Sequence, residues 1–172
     1  MKSYQEIFDQ ALLMCSYDVN ATTILTYIAT ESEKLLDADC AVSILLLDKG
    51  SRLRNASSPK LPSDYLAAID GIKPDPNVGT CAAAVATRNI VITPSFLADN
   101  KWSELKHLPM SIGYAGAWSV PIVNNQNIAL GTIGVYNKTI KSPNEVDISG
   151  IQLLCKAAAH ILTQKEKANL NG

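Results

Sequence analysis

The chain has 172 residues, of which 47% are apolar and 18% charged, and its 15 basic and 16 acidic side chains leave a net charge of −1. This length and composition suit one globular domain with a substantial core. The basic residues form no cluster that would follow a phosphate backbone, so we expect no nucleic-acid partner. No apolar run approaches the ~20 residues that span a bilayer, and the polar N-terminus lacks a signal-peptide pattern. We therefore expect a cytoplasmic protein that does not contact a membrane.

Cysteine and histidine are sparse. Four cysteines are spread along the chain without a Cys-x-x-Cys pair: Cys15, Cys40, Cys81 and Cys155. This spacing predicts reduced thiols and no disulfide framework. The two histidines, His107 and His160, have no partners at ligand spacing, which predicts no metal site. His107 is expected in solvent, whereas a packed position on the last helix and a haem-ligand role both stay open for His160.

Two helices are predicted first in chain order, because apolar side chains recur at helical spacing over residues 4–16 and about 21–36. The stripe of the first helix is formed by Tyr4, Phe8, Leu12 and Cys15, with Ile7 and Ala11 beside it. The inner face of the second is expected to comprise Ile24, Ile28, Leu35 and Leu36. Its charged residues, including Glu33, are expected to face solvent.

A change to short apolar runs predicts the start of a sheet. Residues 40–48 are expected to form a buried strand and residues 52–57 a weaker strand at the sheet edge, joined by a turn at residues 49–51. Pro62 then opens a short helix that ends at Gly71.

The middle of the chain alternates loops with short elements. After an irregular loop at residues 73–79, Thr80 is predicted to cap a helix over residues 81–87. A short strand follows at residues 89–93, and residues 94–112 are expected to form loop and short helix.

The last third predicts a hairpin and a long helix. Strands at residues 113–123 and 128–137 are joined by four polar turn residues. Ser142 begins a capping box, with Pro143 at the first helical position, for a helix that runs to about residue 166.

The order of these elements indicates the fold class. Helices flank and interrupt strands that pair as antiparallel hairpins, which is typical of an α+β fold with one central antiparallel sheet of five to six strands. We divide the chain into a helical extension at residues 1–19, one domain at residues 20–166 and a polar tail at residues 167–172.

Several blocks stand in a recognisable order: Leu61-Pro62-x-x-Tyr65-x-x-Ala68-Ile69-Asp70-Gly71, Val78-Gly79-Thr80-Cys81, Trp102, Gly116-Ala117-Trp118-Ser119-Val120-Pro121-Ile122, Leu130-Gly131-Thr132 and Pro143-Asn144-Glu145. Together they resemble the GAF domain family, above all a bacterial subgroup found upstream of diguanylate cyclase (GGDEF), phosphodiesterase (EAL) and histidine kinase modules. The resemblance implies a sheet in the order 2-1-5-4-3. It also implies long terminal helices on one face and a ligand pocket under short helices and loops on the other.

The resemblance further implies a sensory function in two-component or cyclic di-GMP signalling. Such a domain binds a small molecule, here unknown, and passes its bound state through a homodimer of flanking helices to a kinase or cyclase output. Ligand and cofactor stay open, as does a filled pocket kept only in a dimerising scaffold. The cyclic-nucleotide motif is incomplete, because no Phe or Asp-Glu pair follows Asn137-Lys138, and no cysteine adjoins a histidine as bilin binding requires.

Cys81 is the candidate for thiol chemistry. If Thr80 caps the helix, Cys81 is its first residue, where the helix dipole favours a thiolate. The simpler interpretation, which we favour, is that Cys81 is a small packed side chain. Free-methionine sulfoxide reductases of the same family use a cysteine in a similar loop, but the partner cysteines that they carry have no counterpart over residues 52–61. Our main prediction is therefore a binding domain, with a thiol-based redox enzyme or sensor as the alternative.

The remaining site candidates are aromatic or small. Trp102 lies on a connecting segment, where it is expected to line or cover the pocket. Trp118 alternates with small residues such as Ser119, so that core packing and pocket lining both stay open for it. The predicted ligand-binding residues are Thr80, Cys81, Trp102, Tyr114, Trp118, Ser119 and Tyr136.

Overall fold

The computed structural model describes residues 2–171. Within them are six α-helices, a short 3-10 helix and five strands. In chain order these are α1 (Tyr4–Ser16), α2 (Ala21–Leu35), β1 (Ala41–Leu47), β2 (Leu53–Ser57), α3 (Ser63–Ile69), α4 (Cys81–Thr87), β3 (Val91–Thr93), the 3-10 helix (Asn100–Trp102), α5 (His107–Ser111), β4 (Gly116–Val123), β5 (Ala129–Asn137) and α6 (Glu145–Asn171).

The strands form an antiparallel sheet in the order β2-β1-β5-β4-β3, which confirms the predicted fold class and strand order. β1 and β5 pair at its centre, from Ala41 opposite Tyr136 to Leu46 opposite Gly131. The predicted turns are present as well. Ser51 and Asn127 adopt the left-handed conformation that tight turns require, with φ of 59° and 60°.

One face of the sheet is covered by a helix layer of α1, α2 and α6. α1 and α6 run in the same direction, because Tyr4 Oη donates to Asp147 Oδ1 at 2.9 Å near their starts and Lys165 Nζ lies 3.1 Å from Asp18 Oδ1 near the other end. Ile7 on α1 is fully buried, so this helix packs within the layer. The division into residues 1–19, 20–166 and 167–172 stays a prediction.

The opposite face is covered by α3, α4 and the segment of residues 94–112. We call this last segment the strap. Their apolar side chains pack with the outward residues of the central strands into a second core, the strap-side core, which includes Leu45, Tyr65, Phe96, Trp102 and Tyr136. The sheet separates this core from the helix-side core, in which Ile44, Trp118 and Val135 pack against α1, α2 and α6. Neighbouring residues on one strand therefore belong to different cores.

The small residues of β4 and β5 leave room for a close helix. An added Cβ at Gly134 would lie 2.8 Å from Cys81 Sγ, so α4 sits directly on the sheet. The face of β4 that carries the small residues leaves room for either a helix or a ligand. In the structure a helix, α4, lies over Ser119 on this face.

Three local predictions were wrong. The side chain of Glu33 is buried and its Oε2 accepts a hydrogen bond from the Val42 N–H at 2.9 Å, so it faces the sheet and not solvent. The cap of α6 is Asn144, whose Oδ1 accepts from the Asp147 N–H at 2.8 Å, and not Ser142. α6 also continues to Asn171, beyond residue 166, because Lys, Glu, Ala and Leu favour helix even without apolar packing.

No helix within the described residues has both the length and the apolar character needed to cross a membrane.

Candidate functional site

A cavity of about 30 Å³ lies in the strap-side core, between the sheet and the elements that cover it. Its apolar lining comes from four places: β1 and β2, α3 with the loop after it, α4, and the strap. These residues are Leu45, Leu53, Ile69, Ile72, Val78, Ala82 and Leu105. The volume is enough for one or two water molecules. A drug-sized ligand needs a pocket of roughly 300 Å³ or more, so such a ligand would have to displace lining side chains.

Two tyrosines, Tyr65 and Tyr136, are among the polar residues of the cavity wall. The Tyr65 and Tyr136 hydroxyl oxygens lie 2.6 Å apart in a buried hydrogen bond, and their rings meet edge to face at a centroid distance of 5.7 Å. Burial raises the pKa of both phenols above their usual value. Both groups therefore stay protonated at neutral pH and present O–H donors.

Trp102 fixes the strap to the start of α4. Its indole Nε1–H donates to Thr80 Oγ1 at 2.8 Å, and Thr80 in turn donates to Thr93 Oγ1 at 2.9 Å. The ring packs on Phe96 at a centroid distance of 4.4 Å. Trp102 and Thr80 both line the cavity, as their prediction as site residues requires. The hydroxyl of Thr80 does not cap α4 and bonds to Thr93 and Trp102 instead.

Cys81 also lines the cavity. Part of its surface is accessible, whereas the sulfur itself faces the sheet and accepts a hydrogen bond from Ser119 Oγ at 3.5 Å. Burial raises the pKa of Cys81 to about 11, with the Ser119 hydrogen bond acting in the opposite direction. Of the two interpretations of Cys81, an activated thiolate and a small packed side chain, the raised pKa favours the packed side chain. Cys15, Cys40 and Cys155 belong to the helix-side core, so none is placed to form a disulfide with it.

Three predicted site residues do not line the cavity. Trp118 is 2% exposed and belongs to the helix-side core, which resolves its two readings in favour of core packing. Ser119 lies beneath α4 in a short hydrogen bond with Thr132. Tyr114 packs edge to face against Tyr136 at a centroid distance of 5.6 Å without reaching the cavity.

Tyr65 is the polar lining residue that the prediction omitted. It stands four residues before Ile69, and this spacing places both side chains on the inner face of α3. The spacing indicates burial but contains no signal for the partner, since Tyr136 is 71 residues away along the chain.

The two histidines take no part in the site. His107 and His160 are both exposed, His107 at the start of α5 and His160 on α6. Among the described residues, no group of three His, Cys, Asp or Glu side chains is placed to hold a metal ion.

Comparison of most of the chain with known sequences identifies its family. A sequence model of the GAF domain matches residues 18–163. The chain belongs to the GAF domain family. Domains of this family are typically sensory, and one relative of this GAF domain is the methyl sulfide methyltransferase-associated sensor of Methanosarcina acetivorans. It is 28% identical over 111 residues, which amount to 64% of this chain and 11% of the sensor.

Solved structures agree with this GAF fold. The GAF domain of a phosphoenolpyruvate-protein phosphotransferase from Coxiella burnetii has a TM-score of 0.77 at 13% identity, covering 98% of this chain and 97% of that one. The free methionine-R-sulfoxide reductase of Neisseria meningitidis, solved with its substrate, has a TM-score of 0.75 at 17% identity, covering 96% and 91%. At such identities the likeness shows the fold alone, and an enzyme is among the proteins that share it.

Proposed function

We propose that this GAF domain is a cytoplasmic sensory module whose strap-side cavity binds a small molecule and whose helix layer transmits the bound state. The observation that carries the proposal is the alternation of the central strands between the two cores. Leu45 and Tyr136 line the cavity, while their neighbours Ile44 and Val135 pack in the helix-side core. A ligand that shifts β1 or β5 therefore acts on both faces of one closely packed sheet.

The sensory reading is favoured over thiol catalysis by the state of Cys81. Reduction of a sulfoxide by a thiol forms a sulfenic acid, which a second thiol must resolve. A buried thiol with a raised pKa is a poor nucleophile, and the other three cysteines lie across the sheet. We therefore propose that this domain is not an enzyme.

The helix layer is the proposed route to a signalling partner. α1 keeps a half-buried apolar stripe of Tyr4, Phe8, Leu12 and Cys15. A second copy of the chain would cover such a stripe in a symmetric dimer. The proposed output is a kinase or cyclase module of a two-component or cyclic di-GMP system, whose activity depends on the arrangement of these helices.

A fragment screen tests the binding function. A set of neutral, anionic and cationic fragments is titrated by ligand-detected NMR into the wild-type domain, into Ala82→Leu, whose larger side chain enters the cavity, and into Ala86→Leu. Ala86 is half-buried on the same helix and does not line the cavity, so it is the matched control. We expect fragments that bind the wild type and Ala86→Leu but not Ala82→Leu, and that change hydrogen exchange in α6. If no fragment of any charge shows this pattern, the proposal is wrong and the domain is a scaffold with a filled cavity.

A further inference from the structure

The chemistry of the cavity wall restricts the kind of molecule that can bind. None of its thirteen lining residues is charged, and eight of them are aliphatic side chains or glycine. Moving an ionised group from water into such a site without a partner of opposite charge is strongly unfavourable. Phosphates, carboxylates and amino acids in their zwitterionic form are therefore excluded by the wall itself.

The polar groups of the wall are mostly occupied by each other. The Thr80 hydroxyl donates its one proton to Thr93 and accepts from Trp102, so it has no proton left for a ligand. The Cys81 sulfur accepts from Ser119 and retains only a weak S–H donor. These groups stabilise the strap and α4 and leave little hydrogen bonding for a ligand.

The tyrosine pair is different, because it has two hydroxyl protons and only one of them is needed for the hydrogen bond between the two residues. Each phenol has one O–H donor, and a single hydrogen bond joins the two oxygens. Whichever of Tyr65 and Tyr136 donates, the other keeps its own proton, and no other side-chain acceptor for it occurs within residues 2–171. Burial keeps both phenols protonated, as their raised pKa values indicate.

We propose that the cavity binds a small uncharged molecule with an apolar body and one hydrogen-bond acceptor, which receives the unused phenolic proton of the Tyr65–Tyr136 pair. This inference rests on the proposed function of the same cavity. The lining residues that reach solvent are Ile72 and Val78 in the loop before α4, Cys81 at the start of α4 and Leu105 in the strap. A ring-sized molecule enters where these side chains separate, since the closed volume of about 30 Å³ is too small for it.

Three probes of nearly equal shape separate charge from hydrogen bonding. Acetophenone has a carbonyl acceptor, α-methylstyrene replaces the carbonyl oxygen with a methylene group, and benzoate replaces the methyl group with a charged oxygen. Dissociation constants are measured by ligand-detected NMR on the wild-type domain, with Ala82→Leu to identify binding inside the cavity. We expect acetophenone to bind about three- to tenfold more tightly than α-methylstyrene, as one net hydrogen bond allows. Benzoate is expected to bind at least about tenfold more weakly than acetophenone.

A double variant identifies the donor. Tyr65→Phe/Tyr136→Phe removes both hydroxyl groups, whereas either single change leaves one O–H able to donate to the ligand. We expect the ratio of the two neutral probes' dissociation constants to fall to about one. Tyr114→Phe is the matched control, since it removes a hydroxyl from the same aromatic cluster at a position that does not line the cavity. Thermal melts of both variants confirm that the domain is folded.

The possible results distinguish this inference from the proposed function. Benzoate bound as tightly as acetophenone, and sensitive to Ala82→Leu, would overturn the inference while leaving a binding cavity in place. Equal binding of acetophenone and α-methylstyrene to the wild type, or an unchanged ratio in the double variant, would overturn the role of the tyrosine pair. Failure of all three probes, when charged fragments from the screen do bind in the cavity, also overturns the inference alone. Failure of every fragment overturns both proposals.

Discussion

At the scale of single residues, Cys81 is subject to two opposing effects. It is the first residue of α4, where a helix terminus stabilises a negative charge by roughly 0.3–1 kcal/mol. Its sulfur also faces a tightly packed sheet, with Gly134 so close that an added Cβ would lie 2.8 Å away. Burial is the larger effect, because it removes the thiolate from water, and the pKa rises to about 11. Helix position can be predicted from the sequence, but burial by a strand some fifty positions away cannot.

The alkylation rate of Cys81 tests this explanation. Iodoacetamide reacts with the thiolate, and a pKa of about 11 leaves far less thiolate at pH 8 than an unfolded cysteine has. We expect the folded domain to react at Cys81 about 100-fold more slowly than the denatured chain at pH 8. The rate should rise with each pH unit until about pH 11. Mass spectrometry of the Cys81 peptide measures it, and a plateau below pH 8.5 would contradict the explanation.

Glu33 and Thr80 show why other residue-level predictions failed. Helical periodicity places Glu33 among charged neighbours, yet its carboxylate accepts from the Val42 N–H at the start of β1. Thr80 is a residue type that commonly caps helices, yet its hydroxyl forms hydrogen bonds with Thr93 and Trp102. In both cases the decisive partner is fixed by tertiary packing. Local pattern contains no information about it.

At the scale of elements, the contact of α1 with α6 depends on one glycine. An added Cβ at Gly150 would lie 2.2 Å from the ring of Tyr4, so the two helices approach as closely as they do because this side chain is absent. The same tyrosine then reaches Asp147 with its hydroxyl at 2.9 Å. Gly150 is therefore unfavourable for helix formation in α6 but allows α1 to pack closely against it.

Alanine at position 150 tests this exchange. In an exposed helix, Gly→Ala stabilises by about 1 kcal/mol. Here we expect Gly150→Ala to destabilise the domain by about 1–3 kcal/mol, because the Tyr4 ring must move. The free energy of unfolding in urea is the measurement. In a Tyr4→Ala background the same change should stabilise, and stabilisation by Gly150→Ala alone would show that the ring adapts without cost.

The helices and strands were largely predictable from the sequence, but the face of the sheet on which each helix packs was not. Changes of period and turn residues predicted the strands and their order to within a few residues, since these signals are local. Alternation along β4 grouped Trp118 with Val120 and Ile122, and these three do share a face. Which face received the helix layer depends on the whole topology. Trp118 was therefore included in the predicted site although it packs on the other side.

At the scale of the whole molecule, the sheet separates the cavity from the helix layer that we propose as the transmitter. The cavity occupies one core and the three layer helices the other, and the central strands contribute to both. About 40 Å of α6, from its 27 residues at 1.5 Å each, extends along this layer. α1 ends near Lys165, and beyond it α6 exposes Leu170, which is 80% accessible. A helix of this length offers a second copy of the chain a continuous surface.

The oligomeric state tests that surface. If a dimer forms through α1 and α6, it covers the half-buried stripe that includes Leu12, and a charge at this position would be buried without a partner. We expect sedimentation equilibrium to show a dimer for the wild type and at least about tenfold weaker association for Leu12→Glu. Gln10→Glu adds the same charge to the exposed side of α1 and should leave the dimer intact. Thermal melts separate lost association from lost folding. A wild-type monomer at high concentration, or equal weakening of association by both variants, would exclude the helix layer as the dimer interface. The proposed transmission through a dimer of helices would then be wrong as well.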